Sequence, residues 1–162
     1  MALREISLTL PNRPGTLAGV ARTLAQARIN LAAISVDSMT GKGRVRLIVS
    51  DPDRAVHLLE EAGYPTEVRD LVTVHLEDRA GSFLKVLEAL AAEKVNVLSV
   101  AILLAREENQ VLVALSTSDA AKARRLLQRR GIVSRSVERI LSNADLLASA
   151  PTIPSESVGL LL

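Results

Sequence analysis

The 162-residue chain carries 20 Lys and Arg against 18 Asp and Glu, a formal charge of +2, with two His, no Cys and two aromatic residues, Tyr64 and Phe83. A charge so near neutral excludes a protein built mainly to grip nucleic-acid phosphates, and two aromatics are too few for the stacking platforms of single-strand binding. Without Cys there are no disulfides, no thiol chemistry and no Cys-ligated zinc, and His57 and His75 alone make no multi-histidine metal centre.

The start, Met1-Ala2-Leu3-Arg4-Glu5, places charge where a secretory signal needs an apolar run. The longest apolar stretch, Val97 to Ala105, is about half of the roughly 20 residues of a membrane span. The expectation is a soluble, cytoplasmic protein that engages neither membrane nor nucleic acid and needs no cofactor or metal.

In chain order, residues 4–10 alternate apolar and polar positions, the pattern of a half-buried strand. Residues 16–28 carry apolar side chains at helical spacing, and Ala32, Ile34 and Val36 return to period two. Gly41-Lys42-Gly43 predicts a hairpin turn into a strand over 44–50. A helix near 53–62, with Asp53 as cap and Gly63 as stop, leads to a short strand near 65–69. The order then recurs: strand 71–77, helix 82–94, strand Leu98-x-Val100-x-Ile102, turn Glu107-Glu108-Asn109, strand 110–116. A helix over 119–130 follows, capped by Ser118 or Asp119 and stopped by Gly131, and then a strand near 132–137. Residues 149–162, rich in Ser and Pro before a run of Leu, predict a flexible tail.

The recurrence is a duplication. Shifted by 66 positions, Ile6-x-Leu8-x-Leu10 falls on Val72-x-Val74-x-Leu76, and Arg13-x-Gly15-Thr16-Leu17 on Arg79-x-Gly81-Ser82-Phe83. Asn30-Leu31 falls on Asn96-Val97; later the register becomes 68, with Gly63 answering to Gly131. Each copy reads β-α-β-β-α-β, so the predicted class is α+β: two ferredoxin-like modules over 1–70 and 71–148, each an antiparallel sheet with both helices on one face. Right-handed crossovers put the first and third strands of each module in the middle. The face without helices, which in the second copy includes Ala101, Leu103, Leu112 and Ala114, is too apolar to leave in water. Either the other module or a second chain covers it, and a homodimer or larger assembly is expected.

The informative segment is Leu10-Pro11-Asn12-Arg13-Pro14-Gly15-Thr16-Leu17, which joins a strand end to a helix start. Pro14 presets the backbone where the helix begins, and Gly15 clears the approach of a ligand. The amides of Gly15, Thr16 and Leu17 have no intrahelical partners and sit at the positive end of the helix dipole, a ready anion site. Arg13 adds positive charge, and the Asn12 side-chain oxygen can accept from an ammonium group. Donors for a carboxylate beside an acceptor for an amine describe a free α-amino acid; the same residues also make a good turn and cap. The loop recurs as Asp78-Arg79-Ala80-Gly81-Ser82. Asn30 and Asn96 open the second strand of each copy, where Asn, a poor strand former, calls for a reason.

The loop Pro11 to Leu17, the amphipathic helix after it and Ile29-Asn30-Leu31-Ala32-Ala33-Ile34 resemble the ACT domain family. The resemblance runs through both copies and has the layout of a stand-alone tandem pair. It implies ferredoxin-like modules that bind a free amino acid and regulate metabolic enzymes. The first copy is similar to the regulatory domain of phosphoglycerate dehydrogenase, which implies ligand roles for Asn12, the backbone of Gly15 to Leu17, and Asn30 with Leu31 beside it. That family's His, two residues before the loop Asn, is Leu10 here, so serine is not carried over as the ligand. In the second copy Asp78, Gly81, Ser82, Phe83 and Asn96 hold the matching positions. Asp78 in place of Asn repels a ligand carboxylate and Ala80 in place of Pro loosens the loop, which favours a degenerate second site.

Within one module the first and second strands run parallel, so Asn30 lies at the opposite end of the sheet from the Asn12 loop. Two modules paired antiparallel through their second strands would bring each loop to the other's strand-start Asn. The expectation is therefore a non-catalytic amino-acid sensor with composite sites. The alternative is a regulatory subunit or interaction module of an amino-acid biosynthetic enzyme, similar to the acetohydroxyacid synthase small subunit, with no ligand of its own. A phosphate-loop enzyme like acylphosphatase would need a glycine-rich strand end that this chain lacks. Lys122, Arg124, Arg125, Arg129 and Arg130 read as an exposed basic helix face, and His57 and His75 as surface residues.

Overall fold

The computed structural model describes residues 3–39, 41–107 and 110–132. The strand expected near 132–137, but for its first residue, and the tail expected at 149–162 lie outside the described residues. The elements are β1 (Arg4–Pro11), α1 (Thr16–Gln26), β2 (Leu31–Met39), β3 (Lys42–Val49) and α2 (Pro52–Glu61). They continue with β4 (Thr66–Glu77), α3 (Ser82–Ala92), β5 (Val97–Glu107), β6 (Gln110–Thr117) and α4 (Ala120–Arg129). The fold is α+β, an antiparallel sheet in the order β2-β3-β1-β4-β6-β5 with the helices outside it.

The strands expected near 65–69 and 71–77 are one strand, β4. Its first part pairs with β1, Arg4 opposite Asp70, and its second with β6, Leu71 opposite Ser116. Asp70 breaks the alternation between the two runs, but it stays in the ladder opposite Arg4, and the strand continues through it. In the first copy β3 and β1 lie in the middle, as the crossover rule requires. Among the described residues β2 and β5 are paired on one side only and form the two free edges.

Three apolar clusters hold these layers. Val20, Leu24, Ala55 and Leu59 of α1 and α2 pack on Ile6, Leu8, Val45 and Leu47. Val86, Leu90, Ala123 and Leu127 of α3 and α4 pack on Val72, Val74, Val113 and Leu115. The third cluster joins the two inner sheet faces: Leu3 and Ile48 from the first half meet Leu71, Leu103, Leu112 and Ala114 from the second. The layers are thus helix, sheet, sheet, helix, and the apolar inner face is covered by the chain's own other half. Ser99 Oγ donates to the Glu5 carboxylate across this seam at 2.7 Å.

Helices α1 and α3 end earlier than the apolar spacing predicts, because Arg28 and Lys94 turn left-handed with φ of 57° and 56°. The Ile29 amide reaches back to the Leu24 carbonyl, and Val95 to Leu90, closing each helix in the same way. The left-handed region costs an L residue about 1–2 kcal/mol, part of which Gly recovers before its own unfolded-state entropy is counted. Arg28→Gly or Lys94→Gly is expected to raise the unfolding free energy by up to about 1 kcal/mol, read from urea titration.

Asp51, not Asp53, caps α2, accepting from the Arg54 amide at 3.1 Å with Pro52 just inside the helix. Asp53 instead takes both arms of Arg4, at 2.8 and 2.6 Å. Asp119 caps α4 from the Lys122 amide, and Ser118 is turned to Asn96. The Arg4 guanidinium holds the Asp53 carboxyl below its usual value. Its contribution is therefore complete above the ordinary carboxylate pKa, about 3.9, and fades as pH falls through the lowered folded value. Asp53→Asn should flatten the fall of stability with acidification below about pH 4, measured by thermal melts across that range.

Candidate functional site

Both loops form the same turn. Gly15 has φ 84° and ψ −16°, Gly81 φ 87° and ψ −11°, the angles of the third residue of a type II turn. The turns close through the Thr16 amide on the Arg13 carbonyl and the Ser82 amide on the Arg79 carbonyl, 3.3 Å each. A Cβ at either glycine would meet nothing within 4 Å, so the backbone conformation and not space demands Gly. Pro14 therefore sits in the turn, and the helix starts two residues after it. Ala80 stands in the same turn as Pro14, closed by the same bond.

The Thr16 amide, expected to be free, is engaged by Arg13 over that long bond. The amides of Gly15, Leu17 and Ala18 find no acceptor among the described residues, and neither helix has a side-chain cap. Three donors thus remain at the positive end of the dipole. Asn12 is exposed; its Nδ2 donates to Ser38 Oγ on β2 at 3.0 Å, and its backbone amide to the Gly41 carbonyl at 3.2 Å. This leaves Oδ1, the acceptor end of the carboxamide, for an ammonium group.

Asn30 and Asn96 stand one residue before β2 and β5. Each is bracketed by a serine at the end of the neighbouring strand: the Asn30 amide donates to Ser50 Oγ at 3.0 Å, and Ser50 returns its amide to the Asn30 carbonyl at 2.9 Å. Asn96 and Ser118 repeat both bonds at the same distances. Sequence reasoning missed Ser50 and named Ser118 only as a helix cap, although the repeat carries each one behind its asparagine. Their bonds use up the asparagine backbone and leave the carboxamide.

Because β1 and β2 both run antiparallel to β3, Asn12, Gly15, Thr16 and Leu17 gather at one end of the first half-sheet, while Asn30 and Leu31 lie at the other. Asp78, Gly81, Ser82 and Phe83 are separated from Asn96 in the same way. Along the free edges Leu31, Ile34 and Val36 on β2, and Leu98, Val100 and Ile102 on β5, are exposed. A cavity of about 180 Å³ opens beside the second loop, lined by Leu76, Asp78, Ser82, Phe83 and Ile102 among others. Arg79 at its rim is paired with Glu77. In the first loop Arg13 is exposed.

Elsewhere His57 is exposed, 3.4 Å from Glu61, and His75 is half-buried on the inner face opposite Leu112. Lys122 and Arg124 of the basic helix bind within the fold, Lys122 to Glu93 and Arg124 to the Leu71 carbonyl. Among the described residues no three His, Asp or Glu could hold a metal ion, and no helix is long and apolar enough to cross a membrane.

The family model that matches the chain describes an ACT domain pair and covers residues 1–142. Among solved structures the chain is similar to protein BT0572 from Bacteroides thetaiotaomicron, 27% identical over 88% of this chain and 97% of that one, with a TM-score of 0.77. It is also similar to the ligand-free regulatory subunit of aspartate kinase from Thermus thermophilus, 20% identical over 80% of this chain and 93% of that one, with a TM-score of 0.59. Aspartate kinase from Synechocystis is 18% identical over 79% of this chain and 25% of the kinase, with a TM-score of 0.53. At those identities the two kinase likenesses show the fold alone. No curated protein matches the sequence.

Proposed function

The chain belongs to the ACT domain family as a domain pair, and from that premise we propose that it is a non-catalytic regulatory protein that holds a free amino acid between modules of two copies. In this reading residues 1–70 and 71–148 are the modules. The Leu17 and Ala18 amides take the ligand carboxylate, Asn12 Oδ1 takes its ammonium, and Asn30 of the second copy closes the site. The second loop offers the same turn and donors, with Asp78 in the place of Asn12. The observation that carries the reading is the uncapped helix start behind a left-handed glycine, formed twice with matching geometry.

The second copy is required because β2 and β5 are not paired with each other in the chain. A two-fold axis sets a patch against itself. Placed beside the stacked edges, it would pair β2 with β2 and β5 with β5, covering Ile34, Val36, Val100 and Ile102. Calorimetry and thermal melts with each of the twenty amino acids test the proposal: a small subset should give saturable heat and raise the melting temperature. No heat with any of them removes the reading. The exposed edges also favour a second one, in which a partner enzyme covers them, and capture of one enzyme without an amino-acid response would select it.

A further inference from the structure

The seam between the two sheets is not completely filled. A cavity of about 230 Å³ opens between the edge strands β2 and β5, lined among others by Glu5, Ala33, Ser35, Arg46, Ile48 and Ala101. Glu5 is only 5% exposed, and Ser99 Oγ is the hydrogen-bond donor it meets among the described residues. A carboxylate has about four acceptor positions, so one hydroxyl leaves most of them unanswered. The cations nearby are engaged elsewhere. Arg46 donates to Ser35 Oγ at 3.0 Å and pairs with Asp37, and Arg69, directly across β4 from Glu5, pairs with Glu67 at 3.7 Å.

We infer that this cleft binds a small aliphatic ammonium compound, its charged head on Glu5 and its alkyl chain along Ala33, Ile48 and Ala101. A buried carboxylate without a cation is costly, and an ammonium group answers both its charge and its free acceptor positions. The apolar walls suit hydrocarbon. Drug-sized pockets measure about 300–1,000 Å³, so the occupant is smaller, a chain of a few carbons. A hard metal ion would need about six oxygen ligands, which one carboxylate and a serine hydroxyl do not supply. Glu5 and Ile48 come from the first half and Ala101 from the second, so an occupant fastens the two sheets together. The cleft is separate from both loops and binds whether or not they hold an amino acid; Ile34, Val100 and Ile102 also line it, so in the two-fold contact proposed above the second copy closes over its occupant.

Titration with n-butylammonium chloride, followed by calorimetry and thermal melting, tests the inference, with n-butanol and sodium chloride as controls. Wild-type protein should show saturable binding and a raised melting temperature. Glu5→Gln keeps the shape and the Ser99 bond and should weaken binding at least tenfold. Ala33→Leu fills the cavity without touching the charge and should abolish binding, whereas Asn12→Ala should leave it unchanged. The inference is overturned by no saturable binding to the wild type, by equal affinity in Glu5→Gln, or by n-butanol binding as tightly as the amine.

Discussion

Leu112→Ala is expected to lower the unfolding free energy by about 2–5 kcal/mol, measured by urea denaturation. Leu112 lies on β6 with no exposed surface, in the cluster that includes Leu3, Ile48, Leu71 and Leu103. Truncation removes its transfer energy and leaves a cavity between two sheets whose registers are fixed by their own ladders, so little collapse can follow. Out of a total of about 5–15 kcal/mol for a typical domain, this is a large share. The cluster also predicts coupling between the halves. Leu112→Ala and Ile48→Val should be non-additive by at least about 0.5 kcal/mol, whereas Leu127→Ala, which belongs to the outer cluster of the second half, should add to Ile48→Val without coupling. A Leu112→Ala variant as stable as the wild type, or strict additivity with Ile48→Val, would mean that the halves do not cover each other.

The fold was legible because local pattern and tertiary demand agree in most of the chain. Period two in residues 4–10 and 110–116 marks strands with one face on the helices and one on the seam, and both faces are visible in the burial of Leu8 and Leu112. The misjudged positions are those where a neighbour outside the local window decides. Asp53 has the composition of a cap, yet Arg4, 49 residues away, takes its carboxylate, and Asp51 supplies the cap. Helix α1 stops before its apolar spacing does because Ile29 is needed in the core, which forces Arg28 left-handed. The apolar inner face called for a cover, but only the registers of β4 with both β1 and β6 show that one strand serves both halves and folds one over the other. At the candidate site the glycines were legible, since a left-handed position leaves a signature in residue type. The engaged Thr16 amide was not, because a turn's closing bond leaves no trace in side chains. In the second loop Ala80 for Pro14 changes composition while Gly81 keeps the turn.

Asn12→Ala and Asn30→Ala should each weaken amino-acid binding at the first loop by at least tenfold, about 1.4 kcal/mol, although the two residues stand at opposite ends of the half-sheet in one chain. Neither change touches the core: Asn12 is exposed, and the Asn30 bonds with Ser50 run through its backbone and survive truncation of the side chain. If one site combines Asn12 of one copy with Asn30 of the other, the two variants are complementary when mixed. After exchange of subunits about half of the dimers are mixed, and by two-fold symmetry each mixed dimer has one site with both asparagines and one with neither. Roughly a quarter of the wild-type sites should then bind at full affinity, visible as a tight phase in calorimetry that neither variant shows alone. Recovery with Asn96→Ala in place of Asn30→Ala would instead pair β2 with β5 of the second copy. No recovery with either variant, together with wild-type affinity in Asn30→Ala, would place the whole site within one module and rule out the shared arrangement.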